Sequence, residues 1–137
     1  MSGWKCENPA TILLVDDDPK ILRPLQMLVE FEGYRVVTAS DGAAALVVAA
    51  AQCPDVIVTD WMMPRIDGIE LCRRLKSDCA TVDTPVVMLS AALPPQQTER
   101  LWDVFLLKPT PVNGLLHAIR SRRERAQSGA YIRVPLE

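Results

Sequence analysis

Three short apolar runs in this chain each end in a residue that can handle phosphate or a metal ion. That pattern restricts the fold more than any other feature. Ile12-Leu13-Leu14-Val15 leads into Asp16-Asp17-Asp18, Val56-Ile57-Val58-Thr59 into Asp60, and Val104-Phe105-Leu106-Leu107 into Lys108-Pro109. If these runs are neighbouring strands of one parallel sheet, carboxylates and a lysine meet at a single edge. Open α/β folds bind their ligands at that edge.

The rest of the chain alternates strand-like and helix-like segments, as a doubly wound sheet requires. Residues 11–16 read as a first strand, followed by an N-cap at Asp18, a first-turn proline at Pro19, and a helix that stops near Gly33. Ile21, Leu22, Leu25, Leu28 and Val29 recur there at helical spacing, and Pro24 is expected to kink the first turns. A strand over 34–39 precedes a helix over 42–52, capped by Ser40 or Asp41. That helix is apolar nearly all round, so close packing by neighbours is expected. A third strand ends at Asp60. The helix over 67–77 places Leu71, Cys72 and Leu75 inward and Arg73, Arg74 and Lys76 outward. Strands over 85–90 and 103–107 follow, then a last helix over 111–127. Between them, Pro94-Pro95 can start a helix of only about two turns.

At 137 residues this is one domain with room for a core, and 49% hydrophobic with 23% charged residues is a globular balance. A net charge of -2 argues against nucleic acid or an anionic membrane as the main partner. The longest apolar run, Ala43 to Ala51, is too short to span a bilayer, and no signal peptide is visible. None of the four cysteines, Cys6, Cys53, Cys72 and Cys79, forms a CxxC pair, and His117 is the single histidine, so a zinc site is not expected. Cys53 and Cys72 read as small core fillers, a usage that fits a reducing cytoplasm.

Crowded carboxylates need a cation. Two unit charges about 4 Å apart at an effective dielectric near 20 repel by roughly 4 kcal/mol, which protonation or a bound ion must relieve. Mg²⁺ typically takes one or two carboxylates, waters and a phosphate oxygen, so Asp16, Asp17 and Asp60 read as a half-built Mg²⁺ site, with Mn²⁺ an acceptable substitute. No serine, cysteine or histidine stands in an activated pairing nearby. A carboxylate nucleophile giving an acyl phosphate is therefore the expected chemistry, and Asp60 is its candidate. Lys108 would neutralise phosphoryl oxygens and Ser90 would donate a hydroxyl to them, the clamp that phosphoryl transfer needs most.

These motifs together resemble the receiver domain of two-component response regulators. The matching stretches are LLVDDDP (13–19), DVIVTDWMMPRIDG (55–68), PVVMLSA (85–91) and LLKP (106–109), in the family's order, over about residues 10–125. The resemblance implies a flavodoxin-like α/β fold with helices on both faces of a five-stranded parallel sheet in the order 2-1-3-4-5. It also implies that Asp60 takes phosphate from a histidine kinase or histidine phosphotransfer protein. Asp17, Asp60 and the Met62 carbonyl would bind Mg²⁺, with Asp16 holding it through water. Ser90 and Lys108 would engage the phosphoryl group, and Phe105 would take the place of the aromatic switch. A cis peptide before Pro109 is implied as well.

The segment between Ser90 and Lys108 is shorter than in the family, so the fourth helix is expected to be short or irregular. Met62 and Ala92 match positions that modulate acyl-phosphate lifetime, and neither side chain can orient water, so slow autodephosphorylation is expected. The expected organisation is an N-terminal extension (1–9), a receiver domain (10–125) and a tail or start of a linker (126–137). The chain would be a signalling module rather than an enzyme, its only catalysis being Mg²⁺-dependent self-phosphorylation. It would be cytoplasmic, a monomer or weak homodimer, without direct nucleic-acid or membrane binding. Its output would go to a downstream protein target or to an output domain missing here. The basic run Arg120, Arg122, Arg123 and Arg125 reads as a solvated helix face near a favourable dipole end. Two other readings remain: an interaction module that binds without phosphorylation, and a phosphohydrolase acting on free substrates.

Overall fold

The computed structural model describes residues 9–95 and 100–128, with side chains as far as residue 123. Residues 1–8 of the expected extension (1–9), residues 129–137 of the expected tail (126–137), Cys6 and the Arg125 side chain lie outside the described residues. Among the described residues nine elements follow in order: β1 (Thr11–Val15), α1 (Pro19–Phe31), β2 (Arg35–Ala39), α2 (Gly42–Gln52), β3 (Val56–Asp60), α3 (Gly68–Lys76), β4 (Val86–Ser90), β5 (Val104–Leu107) and α4 (Val112–Ser128). The strands are all parallel, in the order β2-β1-β3-β4-β5. This is the flavodoxin-like topology expected from the sequence.

Because side chains alternate along a strand, each central run supplies two cores. Ile12, Leu14, Val56, Val58, Val87 and Leu89 face one layer, with Val29 of α1 and Leu115, Leu116 and Ile119 of α4. Leu13, Val15, Ile57, Val86 and Met88 face the other, with Ala45 and Ala49 of α2 and Leu71, Cys72 and Leu75 of α3. This double burial explains why β1, β3 and β4 are apolar at nearly every position.

Local signals set where the helices begin. Asp18, Asp41 and Asp67 each cap a helix with a side-chain oxygen, accepting from Lys20 N (2.9 Å), Ala44 N (2.7 Å) and Glu70 N (2.9 Å). Glu70 also pairs with Arg73 and Arg74, whose guanidinium hydrogen bonds, Arg74 first, hold its carboxyl below the usual carboxylate range.

Three expectations are corrected. Helix α2 is not packed all round: Gly42, Ala45 and Ala49 are buried, while Val47 is 70% exposed, because α2 meets the sheet and α3 on one side only. Cys53 is no core filler; it ends α2 in the left-handed conformation (φ 49°) and is exposed. Lys76 does not project freely outward. Its Nζ donates to the carbonyls of Thr84 (3.2 Å) and Val82 (3.4 Å) and lies 3.7 Å from Asp103 Oδ2. The two helical turns expected around Pro94-Pro95 would run through residues 96–99, which lie outside the described residues; the described residues between β4 and β5 are coil and bend. The indole of Trp102 packs on the α3 side of the sheet, 8% exposed.

Asp103 fixes the beginning of β5. Its backbone N–H donates to Val86 O (2.9 Å) and its Oδ2 accepts from Val86 N (2.8 Å), extending the β4–β5 ladder by one residue.

Candidate functional site

Strand register places the functional residues. Val15 pairs with Thr59, Asp60 with Leu89, and Ser90 with Leu107, so β1, β3, β4 and β5 finish almost level. The ladder continues one step beyond: Asp16 N donates to Ala39 O (3.2 Å), Trp61 N to Leu89 O (2.9 Å) and Lys108 N to Ser90 O (2.7 Å). Asp16, Asp60, Ser90 and Lys108 therefore leave the sheet from ladder positions at one rim.

Side chains converge as the sequence predicted. Asp16, Asp17 and Asp60 each offer a carboxylate oxygen, and these atoms all lie within 4.8 Å of one another. Lys108 Nζ donates to Asp60 Oδ1 at 2.6 Å and stands 3.9 Å from Asp16 Oδ2. Asp16 and Asp60 are buried, Asp17 exposed. Burial pushes the Asp16 carboxyl above its usual range; the Asp18 amide, which donates to its Oδ1 at 2.9 Å, opposes this, and the Asp60 charge reinforces it. One ammonium against three carboxylates leaves a net negative pocket of hard oxygen donors, the donor set Mg²⁺ prefers.

Other expected participants sit around this centre in varied states. Ser90 is buried at the end of β4, but its hydroxyl donates to Ala92 O (2.7 Å) and accepts from Ala92 N (3.1 Å) instead of facing Asp60. Met62 follows in the loop after β3 with its side chain 71% exposed, leaving its backbone as the group able to serve the centre. Ala92 is exposed. Phe105 is half-buried on β5, and the Lys108–Pro109 bond is cis, as expected.

The loop over Asp60 is held from three directions. Gly68 N donates to Trp61 O (2.8 Å), closing the loop. A Cβ at position 68 would lie 2.7 Å from Asp60 O and from Met88 Sδ, so only glycine fits there. Arg65, in the left-handed region (φ 67°), reaches Asp41 Oδ2 at 3.6 Å, and Ile66 packs where a Cβ on Gly42 would stand.

Trp61, Trp102 and Phe105 form a three-ring cluster beside this loop. Ring centroids are 5.8 Å apart for Trp61–Trp102, 6.0 Å for Trp61–Phe105 and 5.3 Å for Trp102–Phe105. Trp61 is half-buried and Trp102 buried; no sequence motif marks Trp102 for the site. A large aromatic in this shortened segment was the available signal.

Comparison with known proteins agrees with this geometry. Residues 12–120 match a family model described as the response regulator receiver domain. The chain is 38% identical over 130 residues to the response regulator MprA of Mycolicibacterium vanbaalenii, covering 89% of this chain and 54% of the relative. The receiver domain of Francisella response regulator 1452 superposes with a TM-score of 0.76 at 34% identity, covering 87% of this chain and 99% of that one. The chemotaxis protein CheY4 of Vibrio cholerae gives a TM-score of 0.77 at 29% identity, covering 82% and 98%. The chain spans about half the length of the curated relatives that it matches over most of its own length.

Proposed function

Since the chain belongs to the response regulator receiver domain family, we propose that Asp60 accepts a phosphoryl group from the phosphohistidine of a kinase or phosphotransfer protein. The observation that carries this reading is the convergence of Asp16, Asp17 and Asp60 within 4.8 Å, with Lys108 on Asp60. An Asp60 oxygen attacks phosphorus, the P–N bond to the donor imidazole breaks, and its electron pair leaves with the nitrogen, which takes a proton. The residues fit a divalent cation: Asp16, Asp17, Asp60 and the Met62 carbonyl would hold Mg²⁺ or Mn²⁺, which when bound screens the negative charge of phosphate from the carboxylates.

The remaining work falls to the chain's own groups. Lys108 keeps an ammonium against the oxygens that gain charge. Ser90 gives up its bond to Ala92 O and turns its hydroxyl to the phosphoryl group. Met62 and Ala92 present no side chain able to orient water, so the acyl phosphate is long-lived. The output is a changed protein-binding surface in a cytoplasmic receiver unit spanning residues 10–125, with Phe105 moving as part of the switch. Its target is a downstream protein or an output domain beyond this chain.

Incubation of the protein with Mg²⁺ and acetyl phosphate, followed by intact mass, tests the reading. One phosphate-sized gain is expected, absent in Asp60→Ala and stable for much longer than seconds after donor removal. A second reading, constitutive binding without phosphorylation, draws on the short segment between Ser90 and Lys108. It predicts no mass gain with any donor.

A further inference from the structure

Two chain paths lead from the acidic rim into the aromatic cluster. Trp61 is the residue after Asp60, with its backbone N–H bonded to Leu89 O of β4. Phe105 stands on β5, the strand that delivers Lys108, and Lys108 Nζ is 2.6 Å from Asp60 Oδ1. A phosphoryl group on Asp60 adds bulk and negative charge where the ammonium now rests, so the adjoining loop and the end of β5 both adjust. Each of them carries one ring of the cluster.

Trp102 is the third ring; it stands in the coil that precedes β5 and meets the other two through its side chain. Its ring centroid lies 5.3 Å from that of Phe105 and 5.8 Å from that of Trp61. The indole is buried, yet its Nε1 meets no hydrogen-bond acceptor among the described residues. A buried donor without a partner loses its hydration uncompensated, so among the described residues packing keeps this ring in place. The next residue, Asp103, is bonded through both backbone and carboxylate to Val86. Asp103 is therefore held, and displacement of Trp102 is taken up in residues 100–102, which precede it as coil.

We infer that Trp102 is the receiving element of a three-ring relay. Phosphorylation of Asp60 shifts Trp61 and Phe105, which frees the Trp102 indole to leave its buried position and gain a hydrogen-bond partner. This deepens the phosphoacceptor reading proposed above and rests on it. The consequence for output is that the surface around Leu101 and Trp102 changes with the state of Asp60.

The test uses the full chain labelled with 5-fluorotryptophan, which gives three fluorine resonances, from Trp4, Trp61 and Trp102. Trp4→Phe, Trp61→Phe and Trp102→Phe spectra assign them. Fluorine NMR is recorded with Mg²⁺ alone and with Mg²⁺ plus acetyl phosphate, and intact mass is taken on the same samples. The relay predicts a second Trp102 resonance whose intensity follows the phosphorylated fraction, with a larger solvent isotope shift in D₂O than the original peak. A phosphorylated sample in which Trp61 moves but Trp102 does not would overturn the relay and leave the phosphoacceptor reading intact. No mass gain would overturn both.

Discussion

Lys108 Nζ sits 2.6 Å from Asp60 Oδ1 and 3.9 Å from Asp16 Oδ2, so a single ammonium compensates two buried carboxylates. Removing it leaves like charges facing one another with only Asp18 N–H donating to Asp16. Lys108→Met is expected to cost about 1–3 kcal/mol in urea unfolding without divalent cations, below the figure for a fully buried pair because the lysine is partly solvated. Millimolar Mg²⁺ should shrink that difference. A loss that persists undiminished with Mg²⁺ would show that the lysine acts through packing.

Asp16 gives the pH dependence its sign. Burial raises its folded carboxyl above the ordinary value of 3.8, so the folded state holds this proton more firmly than the unfolded state. Its contribution is fully favourable below the unfolded value and is lost as pH rises through the folded one. Asp16→Asn should therefore stabilise the Mg²⁺-free protein at neutral pH, flatten the stability curve on the acidic side, and weaken Mg²⁺ binding. Unfolding curves across that range, with and without Mg²⁺, check all three; a neutral-pH loss of stability would contradict the charge account.

Gly68→Ala tests the close approach over Asp60. The added carbon would meet Asp60 O and Met88 Sδ at 2.7 Å and Trp61 Cα at 2.9 Å. Overpacking of this kind costs typically 1–3 kcal/mol. Since two of these atoms belong to the phosphoacceptor segment, the rate of mass gain with acetyl phosphate should fall along with thermal stability.

The cysteines should separate by reactivity. Burial pushes the Cys72 thiol up to about 12, while Cys53 and Cys79 are exposed. Iodoacetamide at neutral pH should label Cys53 and Cys79 in the folded protein, and Cys72 only after denaturation. Peptide mass mapping reads the outcome, and early labelling of Cys72 would mean that the α3 layer opens readily.

The strands and the acidic centre were legible because both follow from short-range pattern. Burial on two faces forces the apolar runs of β1, β3 and β4, and the chemistry begins where the runs stop. Other features depended on what lay opposite in space. Helix α2 looked enclosed because it is made of alanine, valine and leucine, yet the sheet and α3 cover one side of it, and no periodic marker separates Val47 from Ala45. The outward-pointing sequence position of Lys76 gave no sign of the carbonyls at Val82 and Thr84 that capture it. Ser90 was identified by position alone, which cannot reveal that its hydroxyl is held by Ala92.

Lys76 and Asp103 fasten the last turn of α3 and the start of β5 at the end of the sheet remote from Asp60. Axial slip of β5 along β4 would break both bonds between Asp103 and Val86, whereas a sideways fanning of the strand tips would keep them. Events at the acidic rim are thus constrained to splay or tilt the outer strand about a fixed foot, much as a fan opens from its rivet.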